Sequence, residues 1–199
     1  MDADFSVELG AGDPVLEMPW SDPDGRLQYQ NLRRQPEALA LITEATDYRE
    51  LAEFLEAVNS QASILESAKC DVWTEDELSE AENFYEAEIK FTSYVDLLFC
   101  DEPWRFDFSM HESFADRAVE ALQDAPELSA AAEFVIRRCY YKVDGNDAED
   151  VSKAGFYFTL YLSGYGNDED EARKQWAAAL TAVRGALLLT SAEIVGTQS

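Results

Sequence analysis

Two long segments in the second half of the chain are rich in aromatic and β-branched residues, and they constrain the fold more than any other feature. They are residues 134–143 (FVIRRCYYKV) and 155–166 (GFYFTLYLSGYG), separated by the polar sequence DGNDAEDVSKA. Aromatic and β-branched residues favour strands, and two such runs on either side of a turn-forming sequence are typical of a hairpin. We therefore expect these segments to form an antiparallel pair of strands.

Two earlier segments show a period of two in their apolar residues. Residues 67–73 and 85–100 each place apolar side chains at every second position, as half-buried strands do. The second segment is longer than an ordinary strand, so we expect a bend or bulge near Thr92 and Ser93. Together with the hairpin, these segments predict an antiparallel sheet of about four strands.

Four further segments place apolar residues at the spacing of an amphipathic helix. They are residues 36–46, 48–59, 110–124 and 168–190. The first two predict a helical hairpin that begins at Pro36, and the last predicts a long C-terminal helix with acidic residues in its first turn. Helices grouped before and after antiparallel strands indicate an α+β domain in which helices cover one face of the sheet.

Residues 1–33 contain a high density of glycine and proline. These residues exclude a long helix and predict an irregular N-terminal arm. The second half of the arm also contains large apolar residues such as Trp20 and Leu27, so we expect it to pack on its own domain or on a second copy. Residues 34–199 then form a single α+β domain, since the chain length falls within the size of one domain.

The chain carries 41 Asp and Glu against 15 Lys and Arg, a formal net charge of −26. Such a surface repels the phosphates of nucleic acids and anionic membrane lipids, and it attracts basic protein surfaces. We therefore expect a basic protein partner, and neither nucleic acid nor membrane. Adaptation to high salt is an alternative explanation of the same charge, since lysines are few.

No segment of the sequence predicts export or membrane insertion. No basic residue precedes Arg26, whereas a secretory signal begins with a positive region. The longest apolar stretch, 177–189, is interrupted and shorter than the roughly 20 residues that cross a bilayer. Cys70, Cys100 and Cys139 lie in strand-like segments, where free thiols behave as apolar residues. We expect a cytoplasmic protein with reduced cysteines. A disulfide between Cys70 and Cys100 is the alternative if their strands pair.

No catalytic or cofactor motif is present. The sequence lacks GxGxxG, a phosphate loop, GxSxG and paired CxxC motifs. Its one histidine, His111, excludes sites built from several histidines. The carboxylate-rich loop 144–150 departs from the EF-hand pattern at Gly145 and Ala148. We therefore expect no metal and no cofactor, and we favour a protein without catalytic activity.

The acidic residues are concentrated in one segment. Residues 71–88 contain eight acidic residues and no basic residue. The candidates for contact with a basic partner are Glu75, Asp76, Glu77, Glu80 and Glu82. The alternative interpretation is a solvated loop between two strands.

The hairpin predicts a second candidate surface, because alternation places aromatic residues on both faces of its strands. One face, with Phe156, Phe158, Leu160 and Leu162, belongs to the core. The other face supplies the candidates for a ligand groove or a subunit interface, where Tyr and Arg are enriched: Arg137, Arg138, Tyr141, Tyr157, Tyr161 and Tyr165. The alternative is that a second layer of helices covers this face.

Three functions are open at this point. The first, which we favour, is a non-catalytic protein–protein interaction or inhibitor and immunity-type module that binds a basic partner. The second is a small-molecule binding protein or enzyme that uses the Tyr and Arg face. The third assigns the acidic surface to salt adaptation alone. A homodimer, formed through the aromatic face or an edge of the sheet, is an open alternative to a monomer.

Overall fold

A mixed sheet of six strands forms the framework of the protein. The structure, a computed structural model, describes residues 1–79, 85–123, 127–143 and 151–197. The strands are β1 (Asp2–Glu8), β2 (Val15–Met18), β3 (Leu65–Glu75), β4 (Ile89–Phe99), β5 (Ala130–Val143) and β6 (Val151–Gly166). A 3₁₀-helix (Pro36–Leu41) precedes the helices α1 (Thr43–Asp47), α2 (Arg49–Val58), α3 (Glu102–Arg105), α4 (Phe108–Gln123) and α5 (Glu169–Thr197).

The strand order is β1-β5-β6-β4-β3, and β2 pairs with β5 beyond the end of β1. The four strands β3, β4, β6 and β5 are antiparallel to one another, and β5 and β6 form the predicted hairpin. The α+β class is therefore confirmed. The prediction of about four antiparallel strands is corrected to a mixed sheet, because β1 and β2 both run parallel to β5.

These two parallel strands come from the segment that we predicted to be an irregular arm. The sequence of β1, DADFSVE, alternates apolar and polar residues, but the glycines and prolines that follow it dominated the prediction. Without a neighbour, the outer edge of β5 would leave backbone N–H and C=O groups without hydrogen-bond partners. Residues 2–8 and 15–18 satisfy them in two steps, with a short break between Glu8 and Val15.

The helices begin close to the predicted positions but are divided differently. The predicted hairpin over 36–46 and 48–59 consists of the 3₁₀-helix, α1 and α2, with Ile42 in an extended conformation between the first two. We expected a bend or bulge near Thr92 and Ser93; β4 has no bulge there in its pairing with β6, because the register runs without interruption from Ile89 to Leu97. An irregularity lies instead in β3, between Ser67 and Lys69.

One face of the sheet packs against α2, α4 and α5 and forms the main core. Phe158, Leu160 and Leu162 of β6 are buried there, as alternation predicted. Trp176 of α5 lies at the centre of this layer, and its indole N–H donates a hydrogen bond of 2.8 Å to the hydroxyl of Ser93. By length and composition α5 could cross a bilayer, a criterion that buried core helices also meet, and ten of its residues are buried.

Among the described residues, the N-terminal segment and α3 cover one end of the opposite face of the sheet. Residues 19–35 and α3 lie over the end of the face that contains Leu98, Tyr141 and Tyr157, and Trp20, Tyr29 and Phe106 pack on it. The indole N–H of Trp20 donates a hydrogen bond of 2.6 Å to the carbonyl of Ala68. At the other end of this face, the described residues leave an open groove.

Candidate functional site

The groove follows from the register of the strands. In the sheet, Asp2 pairs with Ala131, Ala131 with Ser163, Ser163 with Thr92, and Thr92 with Trp73. Residues in register lie side by side on the same face of the sheet. Three small side chains therefore form a continuous floor that runs across the strands, with Asp2 at one end and Trp73 at the other.

Larger side chains on both sides of this floor form the walls. One wall contains Tyr165 and Lys90, which are in register with each other. The other contains Glu133 and Tyr161, also in register. The resulting transverse groove has a volume of about 690 Å³, within the range of small-ligand and peptide side-chain sites.

Carboxylates dominate the charge of the transverse groove. Asp2, Asp4 and Glu133 line it together with a single cation, Lys90. The ammonium of Lys90 lies 3.1 Å from the carboxylate of Glu75, so its charge is largely compensated. The groove therefore favours a cation over an anion.

Neighbouring hydrogen bonds hold two of these carboxylates in place. The hydroxyl of Ser6 donates a hydrogen bond of 2.8 Å to Glu133. The hydroxyl of Tyr85 lies 3.0 Å from a carboxylate oxygen of Asp2 and 2.7 Å from the carbonyl of Ala130. Burial and the hydrogen bond to Asp2 raise the pKa of Tyr85, so this hydroxyl keeps its proton at neutral pH.

A buried polar network supports the wall that contains Tyr161. Arg137 donates hydrogen bonds to the hydroxyls of Thr159 (3.0 Å) and Tyr161 (3.1 Å), and its guanidinium lies 2.6 Å from the carboxylate of Glu8. The hydroxyl of Thr159 donates in turn to Asp96 at 2.7 Å. Arg137, on the same face of the sheet as Tyr161, thus fixes its phenol beside the groove.

Asp96 is the most perturbed carboxyl group of this network. It lies on the same face of the sheet and is 5% exposed. Burial raises its pKa from 3.8 to about 6, although the hydrogen bond from Thr159 and the charges of Lys69 and Arg137 act in the opposite direction. The loss of hydration raises the pKa of Asp96 more than its favourable partners lower it, because none of them forms an ion pair with Asp96.

Five of the six predicted Tyr and Arg residues lie on this face of the sheet, but only Tyr161 and Tyr165 line the groove. Tyr141 and Tyr157 are buried under the N-terminal segment. Arg138 lies on the opposite face, because successive side chains of a strand alternate, and it donates a hydrogen bond to the carbonyl of Leu9. As an alternative to a binding surface, we had considered a layer of helices over this face. One end of the face is indeed covered, but much of that cover is an irregular segment and not a helical layer.

Glu75, the first of the predicted acidic contact candidates, lies beside the groove. Glu75 ends β3 and accepts hydrogen bonds from the indole N–H of Trp73 (2.5 Å) and from Lys90 (3.1 Å). Asp76 and Glu77 are exposed beyond the strand. Glu80 and Glu82 lie outside the described residues, as does the loop 144–150.

Sequence reasoning missed the acidic residues of β1 and β5 that line the groove. The alternation of Asp2 and Asp4 with Ala3 and Phe5 was a signal for a strand. Nothing in the sequence placed that strand beside Glu133, since the pairing joins segments more than 120 residues apart.

The described residues offer little for metal binding or nucleophilic catalysis. Among them, no group of three or more His, Cys, Asp or Glu could hold a metal ion. His111 is fully buried against Phe99 and Phe158. Cys70, Cys100 and Cys139 are free thiols, and burial raises the pKa of Cys100 to about 11, so it is protonated at neutral pH.

No protein-family model, curated protein or solved structure matches this chain.

Proposed function

We propose that this protein is a non-catalytic interaction module, of the inhibitor or immunity type, that binds a basic segment of a partner protein in the transverse groove. The observation that carries the proposal is the combination of aromatic walls with an acidic lining at the end of the sheet face that the described residues leave open. It joins the two surfaces that the sequence suggested separately, since Glu75 of the acidic segment lies beside Trp73 of the groove.

The dimensions of the groove suit one extended basic side chain. Tyr161 and Tyr165 are four residues apart on β6, which corresponds to about 13 Å between their Cα atoms. Tyr165 is 3% exposed, so a Lys or Arg side chain that enters the groove here contacts chiefly the ring of Tyr161, and aromatic faces attract cations. Its charged end then lies near Asp2, Asp4 and Glu133, whose carboxylates accept charge-assisted hydrogen bonds.

The charge of the whole protein supports the same partner. A net charge of −26 accelerates encounter with a basic surface and repels nucleic acids and anionic lipids. We accordingly propose a cytoplasmic protein that acts on a protein partner.

Enzymatic use of the groove is less well supported. The hydroxyls of Thr92 and Ser163 on its floor lie 3.0 Å from each other, and the one histidine of the chain is buried in the core. Neither hydroxyl therefore has a histidine to act as its general base.

The test compares capture of proteins from a nuclease-treated lysate of the native source by three variants of the tagged protein. Asp4→Asn/Glu133→Gln removes two charges from the groove, Asp76→Asn/Glu77→Gln removes two from the acidic segment, and Glu37→Gln/Glu120→Gln removes two exposed charges elsewhere. We expect one stoichiometric basic partner at moderate salt with the wild type and with Glu37→Gln/Glu120→Gln. For the isolated partner, the groove variant should bind at least about tenfold more weakly, because two charge-assisted contacts are lost.

Other outcomes contradict the proposal in distinguishable ways. If Asp76→Asn/Glu77→Gln abolishes binding and the groove variant does not, the acidic segment is the binding surface. If all variants capture the same abundant basic proteins, and salt removes them equally, the acidity serves solvation or salt adaptation.

A further inference from the structure

A second cleft lies at the opposite end of the same sheet face, beneath the N-terminal segment. It has a volume of about 790 Å³ and is bordered by residues 29–34, by α3 and by the ends of β2 and β5. It shares no lining residue with the transverse groove, so an inference about it is independent of the proposed function.

The charge of this cleft is opposite to that of the protein. Its lining includes four basic residues, Arg33, Arg34, Arg105 and Lys142, and two acidic residues, Glu66 and Glu102. The chain as a whole has 41 acidic residues and 15 basic ones. More than a quarter of all its cations thus line a site that contains few of its carboxylates.

Two of these cations build the cleft. Arg33 donates hydrogen bonds to the carbonyls of Ser60 (2.6 Å) and Ser63 (3.0 Å). Arg105 donates to the carbonyl of Phe99 at 2.7 Å and to the carboxylate of Glu66 at 3.0 Å. These contacts fix both guanidinium groups in the wall, which is the preorganisation that a binding site requires.

The other two cations have no side-chain partner among the described residues. Arg34 and Lys142 are exposed, and their side chains form no ion pair or hydrogen bond with any residue that the structure describes. Their position together at one cleft favours an external anion.

Aromatic side chains give the cleft a second chemical character. Tyr29, Phe106 and Tyr141 line it. The guanidinium of Arg105 lies over the ring of Tyr141 at 5.3 Å, and the ammonium of Lys153 lies over the ring of Phe106 at 3.5 Å. Aromatic rings and guanidinium planes both stack on planar ligands.

We propose that this cleft binds a small organic anion that carries a phosphate or carboxylate group and a planar ring. Arg34 and Lys142 contact the anionic group, with Arg33 behind them, and the aromatic wall contacts the ring. Arginine suits this role because its planar group of donors matches phosphate and carboxylate geometry.

Met18 provides a reporter for this cleft. It lines the cleft and is one of three methionines in the chain, so a protein labelled at the methionine methyl groups gives few NMR signals. The Met18 signal is assigned with Met18→Leu. We would titrate the full chain with inorganic phosphate, citrate and adenosine monophosphate. We expect a saturable shift of the Met18 signal with adenosine monophosphate, at a lower concentration than with phosphate or citrate.

Variants separate a specific site from a general charge effect. Arg34→Gln/Lys142→Gln should weaken binding of adenosine monophosphate at least about tenfold, since two charged contacts are lost. Arg26→Gln/Lys174→Gln changes the net charge equally at exposed positions outside the cleft and should leave affinity within about twofold. Glu102→Gln should tighten binding severalfold, and this gain cannot arise from misfolding.

The proposal is overturned if none of the three anions gives a saturable Met18 shift. It is also overturned if both double variants weaken binding equally, or if adenosine monophosphate binds no more tightly than inorganic phosphate. None of these results bears on capture of a basic partner by Asp4→Asn/Glu133→Gln, so the two proposals fail separately.

Discussion

The stability of the Asp96→Asn variant relative to the wild type should be higher at neutral pH than at mildly acidic pH. Asp96 is buried on the same face of the sheet as the groove, and its carboxylate accepts a hydrogen bond of 2.7 Å from Thr159. Asparagine has nearly the same shape and retains an oxygen for that bond, but it carries no charge. The variant therefore removes the burial of a charge and little else.

The sign follows from the direction of the pKa shift. Burial raises the pKa of Asp96 from 3.8 to about 6 in the folded protein, so the folded state holds this proton more tightly than the unfolded chain. The stability that the proton contributes is fully present below pH 3.8 and is lost as the pH rises through 6. The loss is ~1.6 kcal/mol at about pH 5 and ~3 kcal/mol at about pH 7.5.

The assay is urea unfolding of both proteins, followed by the fluorescence of the four tryptophans, at about pH 5 and about pH 7.5. The free energy of unfolding of Asp96→Asn, minus that of the wild type, should rise by ~1.4 kcal/mol between these pH values. All other titrating groups cancel in this difference. The asparagine of the variant has a buried amide whose hydrogen bonds alter the absolute stability, but they do not alter its change with pH. Equal differences at both pH values would refute the argument that burial dominates the titration of Asp96.

Two further predictions concern the core. Gly164→Ala should destabilise the protein by ~3 kcal/mol, because its Cβ would clash with the backbone of Ala172 and Trp176. In the matched variant Gly185→Ala, the added Cβ meets no atom within 4 Å, and the free energy of unfolding should rise by ~0.5–1 kcal/mol because the position is in the interior of α5. Equal thermal unfolding temperatures of the two variants would contradict the packing assigned to Gly164. Burial lowers the pKa of His111 from 6.5 to about 4, so its contribution to stability is present above pH 6.5 and is lost as the pH falls towards 4. Between about pH 7.5 and about pH 5, the free energy of unfolding of His111→Leu in urea should therefore fall by ~2 kcal/mol less than that of the wild type. A variant with the same pH dependence as the wild type would exclude a neutral buried imidazole.

Periodic patterns in the sequence determined the local elements and much of the class of fold. The aromatic and β-branched residues of 134–143 and 155–166 predicted β5 and β6, and the acidic first turn and apolar stripe predicted the start of α5. Alternation also separated Phe158 and Leu160, which are buried in the core, from Tyr161 on the opposite face. These properties depend on residues close together in the chain, because a side chain's direction follows from its position in a strand or helix.

Tertiary structure alone decided how those elements combine into sites. The groove brings Asp2, Ala131, Ser163, Thr92 and Trp73 into one row, and no local pattern contains the register that aligns them. In the same way, the basic cleft joins Arg33 and Arg34 to Arg105 and Lys142 from distant parts of the chain. Composition determined that the protein is strongly acidic, but only the pairing of strands and the path of the N-terminal segment decided where carboxylates and cations meet. The physical reason is that pairing depends on hydrogen bonds and packing between segments far apart in sequence, which the pattern within either segment does not encode.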